Sequence, residues 1–226
     1  MRCSESKFLC QKNWNCRRKK RERITYLFCL IGMTHFKVAV LISGNGSNLQ
    51  AIIDKFKESS HIKICCVISN KEDAYGLERA AKVNINRYFL DHTKFCTRKD
   101  FETGLTDILE KYNPDLIVLA GFMRILSEFF VEKYKGKLIN IHPSLLPKHK
   151  GLNTHQKVIE EGDEFHGVTV HFVDSTLDGG PICAQASFKV KTKDVKVLEN
   201  EVHKIEHELY PQVIKDIAAG KINLIN

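Results

Sequence analysis

From residue 36 onward the chain alternates between short apolar, β-branched runs and stretches with helical spacing. The runs are Val38–Ile42, Ile62–Ile68, Leu116–Leu119 and Leu138–Ile141. Little polar interruption within them predicts strands covered on both faces, as in a parallel sheet built from βαβ units. Cys65 and Cys66, adjacent in the second run, are expected to point to opposite faces. The clearest helix is predicted over 98–112, where Phe101, Leu105, Ile108, Leu109 and Tyr112 recur at about 3.6-residue spacing. Asn113-Pro114 stops it, and Asp115 opens the next strand. After residue 142 the pattern changes. Val168, Val170 and Phe172 alternate with Thr169, His171 and Val173, which predicts a strand with one apolar and one mixed face. Asp178–Pro181 reads as a turn, Ile182–Val190 as a returning strand and residues 194–219 as a closing helix. The fold expected is α/β: a Rossmann-like, mostly parallel sheet with antiparallel C-terminal strands, flanked by helices, in one domain over 36–226.

Charge changes this picture less than its total suggests. The 226-residue chain carries a formal +8, but residues 1–32 hold nine Lys/Arg and two Glu. The rest holds 26 Lys/Arg against 25 Asp/Glu, so the body is close to neutral and offers no broad field to a nucleic-acid backbone. Residues 1–35 are read as a basic leader outside the enzyme. Three readings of it stay open: a start at Met33, a transit peptide or a solvated tail. Ile24–Met33 is too short to span a bilayer. No membrane partner is expected, and the compartment expected is the cytoplasm, or an organelle if the leader is a transit peptide. None of the eight cysteines forms a C-x-x-C pair, which argues for reduced thiols rather than zinc.

The chemistry concentrates in three loops. Ser43-Gly44-Asn45-Gly46-Ser47-Asn48 follows the first strand and opens a helix. Its glycines let backbone approach an anion, and helix N–H groups at Ser47 and Asn48 would meet a phosphate. A dinucleotide fingerprint fits poorly, because Leu49 occupies the third glycine position and no acid follows Ile68-Ser69-Asn70. A tight strand–helix turn is the plainer alternative. Asn140-Ile141-His142-Pro143 places an amide and an imidazole two residues apart at a strand end, on one side. An amide can donate to a carbonyl oxygen becoming an oxyanion, and an imidazole can move a proton. Asp178 sits in the turn Leu177-Asp178-Gly179-Gly180-Pro181, where an aimed carboxylate is easy to build and would hold His142 charged. His171, on the strand before, reads first as a histidine buried against Thr169, with support of the catalytic groups from behind as the alternative. A zinc site from His142, His171 and Asp178 lacks a local ligand pair, so no metal is expected.

Together Ser43–Asn48, Gly121-Phe122-Met123-Arg124-Ile125-Leu126, Asn140–Pro147 and Leu177–Pro181 resemble the glycinamide ribonucleotide formyltransferases, in order and spacing, over about residues 37–220. The resemblance implies the formyltransferase fold. It also implies transfer of a formyl group from 10-formyltetrahydrofolate, as co-substrate, to the amine of 5'-phosphoribosylglycinamide in purine biosynthesis. It assigns Asn140, His142 and Asp178 as the catalytic trio. Gly46, Ser47 and Asn48 match the family's phosphate loop, and Glu206 a residue facing the ribose. Phe122, Met123, Arg124, Ile125 and Leu126, with Asn140, Val173 and Leu177, match its folate pocket, and Arg98 and Arg124 lie near the folate tail. Lys150 stands where proline is expected, predicting a looser loop, and His203 replaces an amide near the ribose. The expected partners are these small molecules, with the chain a monomer or homodimer.

Acyl transfer to a neutral amine needs no Ser or Cys nucleophile, and no such setting is visible. Formyltetrahydrofolate deformylase carries a similar trio, but its regulatory domain exceeds the residues ahead of the first strand. Methionyl-tRNA formyltransferase adds a C-terminal RNA-binding domain for which no segment is seen. A non-enzymatic nucleotide-binding module leaves Asn140, His142 and Asp178 without a role.

Overall fold

The computed structural model describes residues 35–224; the expectations for the leader and Met33 lie outside them. In chain order the elements are β1 (Phe36–Ile42), α1 (Ser47–Phe56), β2 (Ile62–Ser69), α2 (Tyr75–Lys82), β3 (Arg87–Phe89), α3 (Arg98–Tyr112), β4 (Leu116–Leu119), α4 (Glu128–Lys133), β5 (Leu138–His142), α5 (Thr154–Glu161), β6 (Phe165–Phe172), β7 (Ile182–Lys189) and α6 (Val195–Ala218). One sheet of seven strands runs β3-β2-β1-β4-β5-β6-β7. The pairs from β3 to β5 are parallel, and β6 and β7 add antiparallel. The mostly parallel sheet with antiparallel C-terminal strands is therefore as the hydrophobic pattern predicts.

Both faces of the sheet are covered, which is why the strands read as nearly unbroken apolar runs. Val38, Val40 and Ile42 of β1 pack with Leu49, Ile52 and Ile53 of α1 and Val202, Val213 and Ile214 of α6. Ala39 and Leu41 face the other way, toward Phe101, Leu105 and Leu109 of α3 and Phe130 of α4. Each such Leu, Ile or Phe contributes about 1.5–3 kcal/mol relative to an exposed side chain. Helix α3 starts on a reciprocal capping box between Thr97 and Asp100 and ends on Asn113 at φ 46°. The left-handed residue followed by Pro114 explains why the helix stops there.

Two details depart from the sequence expectation. Cys65 and Cys66 lie on the same side of β2, both in the cluster under α3. The β1–β2 register shifts between Val38↔Ile64 and Ala39↔Cys66, so an extra residue in β2 breaks the alternation. β3 also escapes the hydrophobic pattern. It is a three-residue edge strand with two exposed positions, so no apolar run marks it.

Strand order reverses between β1 and β4, where one chain crossover goes left to β2 and the other right to β5. In open α/β sheets a crevice opens at this point, beyond the carboxyl ends of the strands. The loops after β1, β4 and β5 all emerge on that edge.

Candidate active site

Tyr210, fully buried on α6, sets its hydroxyl 2.9 Å from the Leu119 carbonyl and 3.1 Å from that of Ile139. That fastens the ends of β4 and β5 to α6 just before Asn140. Asn140 and His142 then project from the end of β5. The antiparallel register sets His171 directly opposite Asn140 and Thr169 opposite His142. The mixed face of β6 is thus the face that looks into the site, and its apolar partners Val168, Val170 and Phe172 pack in the core.

Asp178 joins these groups. Its Oδ2 lies 3.5 Å from His142 Nδ1, and its Oδ1 lies 3.8 Å from His171 Nε2. Oδ2 also accepts the Gly151 N–H at 2.8 Å. Asp178 adopts φ 47°, a left-handed backbone. The two glycines after it are sterically required. A Cβ at Gly179 would meet the Thr176 hydroxyl at 2.1 Å, and one at Gly180 the Phe172 carbonyl oxygen at 1.9 Å.

Hydrogen bonds fix the histidine tautomers. His171 Nδ1 donates to the Phe172 carbonyl at 2.8 Å, so its Nε2 is the acceptor for Asn140 Nδ2 at 3.3 Å. Burial pushes the His171 imidazole below its ordinary range, which keeps it neutral. His142 Nε2 donates to the His149 carbonyl at 2.9 Å, which turns Nδ1 toward Asp178. The structure thus brings Asn140, His142 and Asp178 together and sets the buried His171 behind them, in contact with both Asn140 and Asp178.

Gly46 caps α1 at φ 73°, and no acidic side chain occupies the helix's first turn. A Cβ on Gly46 would come within 2.8 Å of Gly76 Cα, so two glycines let α2 abut the loop. Arg79 braces the same loop, with Nε donating to the Asn45 carbonyl at 2.9 Å and Nη2 to its side chain at 2.8 Å. Ser47 and Asn48 begin the helix, and Asn48 Nδ2 donates to Glu206 Oε2 at 3.0 Å. Glu206 is buried, and desolvation raises its carboxyl above the ordinary range. Asn48 Oδ1 is buried with no hydrogen-bond partner among the described residues, a group that calls for a donor from a bound molecule. His203 lies one turn before His207 and stacks on it at 6.2 Å.

Phe122–Leu126 leaves the end of β4. The Met123 N–H donates to Ser43 Oγ at 2.8 Å, and that hydroxyl donates to Asn70 Oδ1 at 2.5 Å, tying the loops after β1, β2 and β4 together. Phe122, Leu126 and Val173 pack with one core cluster, while Met123, Ile125 and Leu177 are largely exposed. An apolar surface therefore borders the trio without being filled by the chain itself. Arg98 opens α3, and Glu102 one turn on accepts the Ser127 N–H at 2.6 Å and binds its hydroxyl, which brings that helix end to the segment after Leu126. No hydrogen bond joins Arg98 or Arg124 to the trio among the described residues.

The loop that carries Lys150 is hydrogen-bonded at several points. Ser144 Oγ donates to the Lys148 carbonyl at 2.7 Å, Lys157 Nζ to that of Lys150 at 3.2 Å, and Gly151 is held by Asp178. A separate hollow of about 310 Å³, lined by Leu145, His149, Val158, Asp163 and Phe165, takes in none of Asn140, His142 and Asp178. His149, Glu161 and Asp163 beside it are the one cluster of metal-ligand type among the described residues.

The sequence pattern of the formyl transferase family matches residues 36–214. The chain is 49% identical over 190 residues to phosphoribosylglycinamide formyltransferase of Escherichia coli, covering 83% of this chain and 89% of that one. It is 44% identical over 190 residues to the human trifunctional purine biosynthetic protein adenosine-3, covering 83% of this chain and 19% of that longer protein. The solved phosphoribosylglycinamide formyltransferase of Coxiella burnetii superposes with a TM-score of 0.81 at 48% identity, covering 85% of this chain and 91% of that one.

Proposed function

The chain belongs to the formyl transferase family, and on that premise we propose that it transfers the formyl group of 10-formyltetrahydrofolate to the amine of 5'-phosphoribosylglycinamide in purine biosynthesis. The observation that carries this reading is the set Asn140, His142, His171 and Asp178 gathered beyond the end of β5, on the same edge of the sheet as the N-terminus of α1. We take residues 36–226 as the catalytic domain and the cytoplasm as its compartment.

The phosphate docks on the N–H groups of Gly46, Ser47 and Asn48 at the start of α1, favoured by the helix dipole. A ribose hydroxyl satisfies Asn48 Oδ1 and meets Glu206. The pteridine ring lies against Phe122–Leu126, Val173 and Leu177, with its tail toward Arg98 and Arg124. The amine, neutral and nucleophilic, attacks the formyl carbon. A C–N bond forms and the carbonyl oxygen takes up charge. Asn140 has two amide hydrogens; one is engaged by His171, which leaves the other for that oxygen. Collapse breaks the bond to the folate nitrogen, and the proton lost by the amine arrives there. His142 Nδ1 and Asp178 form the station that holds that proton in transit, beside Asn140. Removing one such oxyanion donor costs on the order of 3 kcal/mol of transition-state stabilisation.

The test is an absorbance assay with 10-formyl-dideazafolate and either glycinamide ribonucleotide or water as acceptor. Rapid turnover only with the ribonucleotide is expected. Equal turnover with water alone would make the protein a hydrolase, and no turnover with either would remove it from this chemistry.

A further inference from the structure

We propose that His149, clamped by Asp163 and Glu161, is a positioning residue that fixes the tautomer and orientation of His142; this rests on the role of His142 given above. His142 Nε2 donates to the His149 backbone carbonyl at 2.9 Å. That carbonyl is aimed by an uncommon backbone. His149 has φ 53°, a left-handed region that a residue with a Cβ keeps only where surrounding contacts hold it. The contacts are on the other end of the same residue. Its imidazole is only 5% exposed, with Nε2 2.7 Å from Asp163 Oδ2 and Nδ1 3.6 Å from Glu161 Oε1.

The clamp is itself secured. Asp163 Oδ1 accepts Lys148 Nζ at 2.8 Å, and the Asp163 N–H donates to the Val158 carbonyl at 3.0 Å at the end of α5. Lys148 and His149 hold the Asp163 carboxyl below the ordinary range, so it stays a charged acceptor. Both nitrogens of His149 face carboxylates and an ammonium already sits on Asp163, so the cluster is occupied from within rather than arranged around a cation.

The consequence falls on His142. With its Nε2 hydrogen committed to a carbonyl, the neutral ring keeps its lone pair on Nδ1, the nitrogen facing Asp178. Were the carbonyl to turn away, the ring would gain a second tautomer and a second rotamer, and only a fraction of molecules would present Nδ1 to the carboxylate. In a hydrolytic triad, a wrong histidine tautomer alone costs orders of magnitude in rate with geometry intact.

The experiment is nitrogen NMR of the ring, read with steady-state kinetics on the full chain. In the unmodified protein, at a pH where His142 is neutral, its ring nitrogens should show a single form with hydrogen on Nε2. A mixture would overturn the proposal before any variant is made. Asp163→Asn and His149→Gly, the second of which tolerates the left-handed backbone but lacks the anchor, should each convert that signal to a mixture. Each should lower kcat about tenfold or more with KM for both substrates unchanged. Wild-type kcat with an unshifted His142 signal in either folded variant would overturn it. Absence of formyl transfer by the unmodified protein would strike instead at the function proposed above.

Discussion

Asn140, His142 and Asp178 could be singled out one by one, because an amide and an imidazole share a strand-end face and a carboxylate sits between a turn's glycines. His171 could not. Its value comes from lying opposite Asn140 across β5 and β6, and that register is set by long-range pairing. Within its own strand it is one polar residue among Thr169 and Val170, which describes any half-buried strand. Gly46 shows the same limit from the other side. Its glycine identity is legible as freedom for an anion to approach, but its contact with Gly76 is not. Two costs follow for Gly46→Ala: a side chain at φ 73° and a Cβ 2.8 Å from Gly76 Cα. The variant should lower Tm by several degrees and raise KM for glycinamide ribonucleotide about tenfold, with folate affinity spared. Thermal melts and separate titrations of the two substrates check this. Loss of folate affinity at unchanged ribonucleotide KM would mean the loop serves the other ligand.

At the level of elements, long periodic segments were readable and local exceptions were not. Helix α3 and the strands β1, β4 and β5 follow from spacing alone, to within a residue at most boundaries. The bulge that turns Cys65 and Cys66 to one side leaves no mark in composition, because both residues suit either face. Helix α5 and strand β6 carry another feature that spacing hides. His155 Nδ1 and His166 Nε2 meet at 2.9 Å. Burial, and then the neighbouring His155, push His166 down from 6.5 to about 4. Burial also lowers His155. The sign of the pH effect follows. Above pH 6.5 the histidine is neutral in both the folded and unfolded chain, so it adds no pH dependence. Between 6.5 and about 4 the unfolded chain takes up a proton that the folded one refuses, so stability falls as pH falls. Urea unfolding at a series of pH values in that window should show this slope, and His166→Gln should make it shallower. An identical slope in the variant would assign the acid sensitivity to other groups.

Across the whole molecule, the sheet assembles a site from residues far apart in sequence. The reversal of strand order brings the loop after β1 and the loop after β4 to one crevice, and Ser43 bonds Met123 across it. Helix α6 then closes the far side, with Tyr210 on the strand ends and Glu206 on Asn48. The overall α/β order was legible from the alternation of apolar runs, and the chemistry from the loops that follow them. What no local reading supplies is distance. Asp178 reaches His142 only because β6 and β7 fold back antiparallel and set the turn between them over the end of β5. Held at these distances, Asn140, His142 and Asp178 act as one catalytic unit. This is checked by kcat for Asp178→Asn, His142→Ala and the double variant, each confirmed folded. Each single change should lower kcat by about a hundredfold or more at nearly constant KM, and the double should be little worse than the poorer single. Near-wild-type turnover in Asp178→Asn, or losses that simply multiply in the double variant, would mean that the groups act independently.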